Sequence, residues 1–154
     1  MFSKNRRKIL PDIKDLVPLG IDGQKSFQLF ARGLLFFFLF SLFYLLVLWN
    51  GYNAWKDPSS GTVIPVFWEM SFRYLVPIVL YGFLCLVFHT LYHLWYHRKG
   101  SRSDYTMRRL PDVHEYQRRL AGLPLLEFAI CLALAAILSL LYYRAYLAAI
   151  MMLP

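Results

Sequence analysis

The stretch GLLFFFLFSLFYLLVLW, residues 33–49, carries no charged side chain. A helix rises 1.5 Å per residue, so about 20 apolar residues cross the roughly 30 Å hydrocarbon core of a bilayer. Lipid offers no partner for a free backbone N–H or C=O, so a helix is the form such a segment takes there. SFQLFA immediately before it supplies the remaining length as an interfacial turn. Two more segments read the same way: SFRYLVPIVLYGFLCLVFHTLYHLW at 71–95 and LPLLEFAICLALAAILSLLYYRAYLAAI at 123–150. The expected fold is an all-α integral membrane domain with three transmembrane helices. Its expected parts are an arm at 1–30, spans at 33–49, 71–95 and 123–150, an outer loop at 50–70 and an inner loop at 96–122.

The composition of the 154-residue chain agrees. It is 58% hydrophobic and 18% aromatic, above the 45–50% apolar content usual for a soluble domain even with glycine counted. The first apolar run starts late for a removable signal peptide, and WNGYNAWKDP after it has no small-residue cleavage site, so a retained signal anchor is expected. Cys85 and Cys131 both fall in apolar runs and are expected to act as small hydrophobes rather than as a disulfide.

The net charge of +8 gains meaning from its distribution. Lys4, Arg6, Arg7, Lys8, Lys14, Lys25 and Arg32 precede the first span, and Arg98, Lys99, Arg102, Arg108, Arg109, Arg118 and Arg119 lie between the second and third. Only Lys56, Arg73 and Arg144 are placed elsewhere. The positive-inside rule then puts the N-terminus and the 96–122 loop in the cytoplasm and the C-terminus outside. Such a distribution accounts for the basic balance without nucleic acid, for which no binding motif is present. Trp49, Tyr52, Trp55, Trp68 and Tyr74 at one level, with Tyr142, Tyr143 and Tyr146, and Tyr92, Trp95 and Tyr96 at the other, suit the two headgroup belts. Packing inside the bundle is the other reading for some of them.

Outside the spans, the first thirty residues hold too few apolar side chains for a core and are punctuated by Pro11, Pro18, Gly20 and Gly23. SKNRRK could rest on anionic lipid or simply enforce topology. DPSSG is a turn by composition, and VFWEM after Pro65 suits a short interfacial helix, with Glu69 and Arg73 as neighbours on its surface. In the inner loop LPDVHEYQRRL reads as a short helix, with Pro111 and Asp112 in its first turn and Arg118 and Arg119 in its last, as the helix dipole favours. Val113, Tyr116 and Leu120 (or Gln117) share one side, and Gly122 and Pro124 are expected to break this helix before the third span.

Cys85, His89, His93 and His97 recur every fourth residue, drifting about 40° per step, so neighbours share a face. Two histidines could ligate a metal or haem only with further ligands from elsewhere. Glu127 and Arg144 are the ionisable residues within the third span. Seventeen residues apart, about 25 Å along a helix, they cannot pair with each other. Each is free to snorkel or to pair across to another helix, Glu127 near the second-span histidines or opposite a partner subunit being the sharper possibility. No nucleophile–base grouping, phosphate-binding glycine loop or carboxylate pair appears at a usable spacing, and no enzyme is expected.

DYTMRRLPDVHEYQRRLAGLP resembles a motif of small three-span membrane proteins encoded with ABC-2-type transporters in Firmicutes: a tyrosine, Met-Arg-Arg-Leu-Pro, then a short acidic–basic helix entering the last span. Here these are Tyr105, Met107, Arg108, Arg109, Leu110 and Pro111, then Asp112, Glu115, Arg118 and Arg119. VHEYQRR keeps the charge pattern of the family's continuation but not its residues. The resemblance implies a non-catalytic accessory subunit, without a cofactor of its own, assembled with a permease and with an ATPase that binds the ATP. Ala133, Ala135, Ala136 and Ser139 would let helices approach closely. Tyr105, Met107, Arg108, Arg109, Leu110, Pro111, Arg118 and Arg119 would contact the partner, and membrane lipids would surround the rest. Two other classes remain open: a haem or metal redox protein using His89 and His93, and a free-standing lipid-binding or homo-oligomeric membrane protein.

Overall fold

The computed structural model describes residues 16–18, 21–56, 66–98 and 113–152, without the side chains of 97–98 and 113–116. Among the described residues three helices make up the fold: α1 (Gly23–Trp55), α2 (Phe67–Arg98) and α3 (Val113–Met151). By length and composition each could cross a membrane. At 33, 32 and 39 residues they also outrun the bilayer core, so each must tilt or project beyond it.

Contact pairs give the up–down–up arrangement. Phe30 and Tyr44 of α1 meet Tyr81 and Tyr74 of α2, so the two helices run antiparallel. His89 of α2 meets Glu127 of α3 while Phe67 meets Tyr143, so α2 and α3 are antiparallel as well. The core between the helices is formed by Phe30, Tyr44, Leu48, Phe67, Leu75, Ile78, Cys131, Ala135, Leu138 and Tyr142. Leu35, Phe36, Phe43, Phe72, Phe88, Leu140 and other large apolar side chains face outward. That surface would be untenable in water and is what lipid requires.

Every helix is longer than its sequence segment. Asp22 caps α1, its carboxylate accepting from the backbone N–H of Gln24 and Lys25 at 3.2 and 3.3 Å, so the helix begins at Gly23, inside the expected arm. VFWEM is not a separate interfacial helix: from Phe67 onward it is the first turn of α2, which continues through Pro77. The expected break at Gly122 and Pro124 is absent too, since α3 is one helix from Val113 to Met151.

The physical reasons lie in tertiary contacts. Pro124 has no N–H and so leaves the carbonyl of Leu120 without its helical donor; His93 Nδ1 of α2 donates to that carbonyl at 2.8 Å. Gly122 is a seat for Leu16, whose Cδ2 lies 3.0 Å from where a Cβ would stand. Leu16, Val17 and Leu123 form a small second core, so the end of the arm packs on α3 and takes part in the fold.

Candidate functional site

The polar side chains of α2 and α3 meet along a single seam. On α2, Tyr81, Cys85, His89 and His93 follow at four-residue intervals; on α3, Glu127 and Cys131 do the same. Two facing rows at that spacing stay in register only where the backbones come close, and Gly82 provides the closest approach. A Cβ at Gly82 would lie 2.6 Å from Cys131 Cβ and 2.9 Å from its Sγ. The α2–α3 contact is the most extensive of the three helix pairs.

At the end of the seam nearest the start of α3, His93 is buried and bonded to the Leu120 carbonyl. A carbonyl only accepts, so Nδ1 of His93 carries the proton. One turn along, His89 Nδ1 lies 2.6 Å from Glu127 Oε2. Glu127 is fully buried and the His89 side chain is 19% exposed. The other carboxylate oxygen, Oε1, is buried with no hydrogen-bond partner among the described residues. Next comes Cys85, within hydrogen-bonding reach of the Tyr81 hydroxyl, which itself donates to the Phe30 carbonyl on α1 at 3.0 Å. Cys85 and Cys131 are both free thiols.

A cavity of about 610 Å³ adjoins this seam, lined by Ile21, Asp22, Lys25, Ser26, Leu29, Phe88, His89 and Tyr92. It lies between the capped start of α1 and the C-terminal half of α2. Lys25 Nζ and Asp22 Oδ2 are 3.5 Å apart at its rim, both largely exposed. His89 therefore touches the cavity with one part of its ring and the buried carboxylate with another.

A second polar knot joins α1 and α3. Tyr142 donates to the Ser41 carbonyl at 2.7 Å and lies 3.0 Å from Ser41 Oγ, which donates to the Phe38 carbonyl at 2.7 Å. The Tyr142 ring stacks on Tyr44 with centroids 4.4 Å apart. The Tyr44 hydroxyl and Ser71 Oγ are buried without a partner.

Set against the sequence expectations, Glu127 and His89 come together across helices; with Glu127 fully buried, snorkelling is ruled out. Arg144 sits on an exposed face of α3, far from Glu127. The histidine row splits its roles between a carboxylate and a backbone carbonyl, and the His97 side chain lies outside the described set. Among the described residues no three His, Cys, Asp or Glu side chains converge as a metal site. Of the small residues proposed for close approach, Ala135 is buried, Ser139 half-buried, and Ala133 and Ala136 exposed. Gly82, which does seat the neighbouring helix, is missed by the sequence reading; a glycine in the middle of an apolar span was its one signal. Tyr142 is a bundle residue rather than a headgroup anchor, whereas Trp49, Trp68, Tyr92, Trp95 and Tyr143 are exposed. Tyr105, Met107, Arg108, Arg109, Leu110 and Pro111 lie outside the described residues. Arg118 is exposed and Arg119 half-buried on the first turns of α3. No family model, curated protein or solved structure matches the chain.

Proposed function

We propose that the chain is a non-catalytic, multi-pass accessory subunit of a bacterial membrane complex, with an ABC-2-type permease and its ATPase as the assembly to which the Tyr105–Arg119 resemblance points. The proposed orientation follows the basic residues: the N-terminus and the segment before α3 in the cytoplasm, the C-terminus outside. The ATP belongs to the partner ATPase.

The observation that carries this reading is the unbroken course of α3 from Val113 to Met151. At 1.5 Å per residue it is about 58 Å long, nearly twice the hydrocarbon core. Its first turns, bearing Arg118 and Arg119, are then the rigid end of a membrane span. A partner bound there is coupled to the bundle through one rod, and His93 and Leu16 brace that rod at Leu120 and Gly122. Arginines in such a position suit bidentate contact with partner carboxylates.

Purification of the full chain in mild detergent, followed by mass spectrometry, tests the proposal. A permease and an ATPase are expected to copurify. The double substitution R108E/R109E is expected to lower their recovery by about tenfold or more, as loss of charge-assisted hydrogen bonds does. Intact assembly and transport in that variant would remove the motif from the interface. A chain that copurifies with no other protein would overturn the subunit reading.

A further inference from the structure

We infer that Glu127 and His89 form an intramembrane proton-binding site that exchanges with the inner cavity. This goes beyond the assembly proposal and does not depend on it, because every group involved belongs to this chain.

Three observations converge. Glu127 is an acid with no exposed surface, held between helices that lipid surrounds. One of its oxygens is paired at 2.6 Å and the other has no partner among the described residues, so a bare carboxylate would be poorly compensated there. The partner of the paired oxygen is an imidazole, which can take a proton at one nitrogen while releasing one from the other. That imidazole lines a cavity whose other walls include Asp22, Lys25, Ser26, Phe88 and Tyr92. A purely structural pair would need neither the free oxygen nor the contact with a cavity.

The exchange balances simply. In the deprotonated pair, His89 Nδ1–H donates to the Glu127 carboxylate and Nε2 has a lone pair. A proton from cavity water binds Nε2, and the Nδ1 proton passes to Oε2. The products are a neutral Glu127 acid and a neutral His89 protonated on Nε2, one proton having been taken up. Reversal returns it to the cavity. The titratable and charged groups around the pair are Tyr81, Cys85, Tyr92 and His93 on α2, Cys131 on α3, and Asp22 and Lys25 at the start of α1. Of these only Asp22 and Lys25 ordinarily carry charge at neutral pH, and they are paired with each other at the rim.

Infrared difference spectra of the purified full chain in detergent, stepped between about pH 4 and pH 9 in H2O and D2O, provide the test. The expected result is a reversible carboxylic acid-to-carboxylate change that shifts on deuteration and is deleted by Glu127→Gln. Conservative loss of the imidazole in His89→Gln should move its midpoint by about one pH unit, a tenfold change in proton affinity. Ser26→Trp, which narrows the cavity beside His89, should slow the deuterium exchange. Should Glu127→Gln misfold, histidine ring resonances of the wild-type chain give an independent readout, and His89 must titrate with the same midpoint as the infrared change. A wild-type spectrum without this transition, a transition unchanged in Glu127→Gln, a non-titrating His89, or exchange unaffected by Ser26→Trp would each overturn the site.

Discussion

The two ways in which helices meet in this molecule differ sharply. Between α2 and α3, glycine at position 82 brings backbones together, and polar groups pair directly: His93 with a backbone carbonyl, His89 with Glu127. Around α1 the contacts are aromatic and longer in reach. Tyr81 lies over Gly33 and bonds to Phe30, and Tyr142 reaches across to Ser41. Between α1 and α3 two apolar grooves of about 370 and 360 Å³ remain, the first beside Trp49 and Met152, the second beside Phe27 and Leu134. In lipid the hydrophobic effect does not hold helices together, so close packing and hydrogen bonds must. The α2–α3 hairpin has both over the more extensive contact; α1 is held by aromatic packing in the core and a few tyrosine hydroxyls.

Substitutions should separate the two interfaces, each read by unfolding the purified chain in SDS with tryptophan fluorescence. Gly82→Leu should have the largest effect, a loss of about 3 kcal/mol or more, because the new side chain begins where Cys131 already sits. Stability close to wild type would mean that the helices separate there at little cost.

His93→Leu should cost about 2 kcal/mol by leaving the partly buried Leu120 carbonyl unpaired. The same change made in a Pro124→Ala background should cost clearly less, since an alanine at that position restores the helical N–H that Leu120 lacks. Equal costs in the two backgrounds would show that His93 is there for packing alone.

Loosening α1 should be milder. Tyr142→Phe removes the hydroxyl that bonds Ser41 and should cost about 1 kcal/mol, near the usual worth of a hydrogen bond between membrane helices. Tyr44→Phe should go the other way by about 0.5 kcal/mol, because its hydroxyl is buried without a partner while the ring stacking on Tyr142 is kept. A loss in Tyr44→Phe equal to that in Tyr142→Phe would erase the distinction between the two tyrosines.

Much of this architecture was legible in the residues. The charge-free run at 33–49 and its two counterparts placed the helices, because length and apolarity alone decide whether a segment can lie in lipid. The helix ends were less legible. Pro124 reads as a stop signal because a proline removes one hydrogen bond, yet the missing donor is supplied by His93, 31 residues earlier in the chain. Gly122 reads as a breaker until Leu16 is seen against it. The candidate site was half legible: four-residue spacing put His89 on the same face as Cys85 and His93, and Glu127 stood out as an acid in an apolar span. Their pairing was one possibility among several, since spacing within a helix says nothing of which face another helix covers.

The sequence by itself therefore determined that the chain has three lipid-length helices, because transfer of a predominantly apolar segment into a bilayer is a local property of that segment. Which polar groups inside those helices find partners was decided only by the tertiary structure. Gly82 sets how near α2 and α3 lie, and that distance turns an isolated acid and an isolated imidazole into a hydrogen-bonded pair beside a cavity.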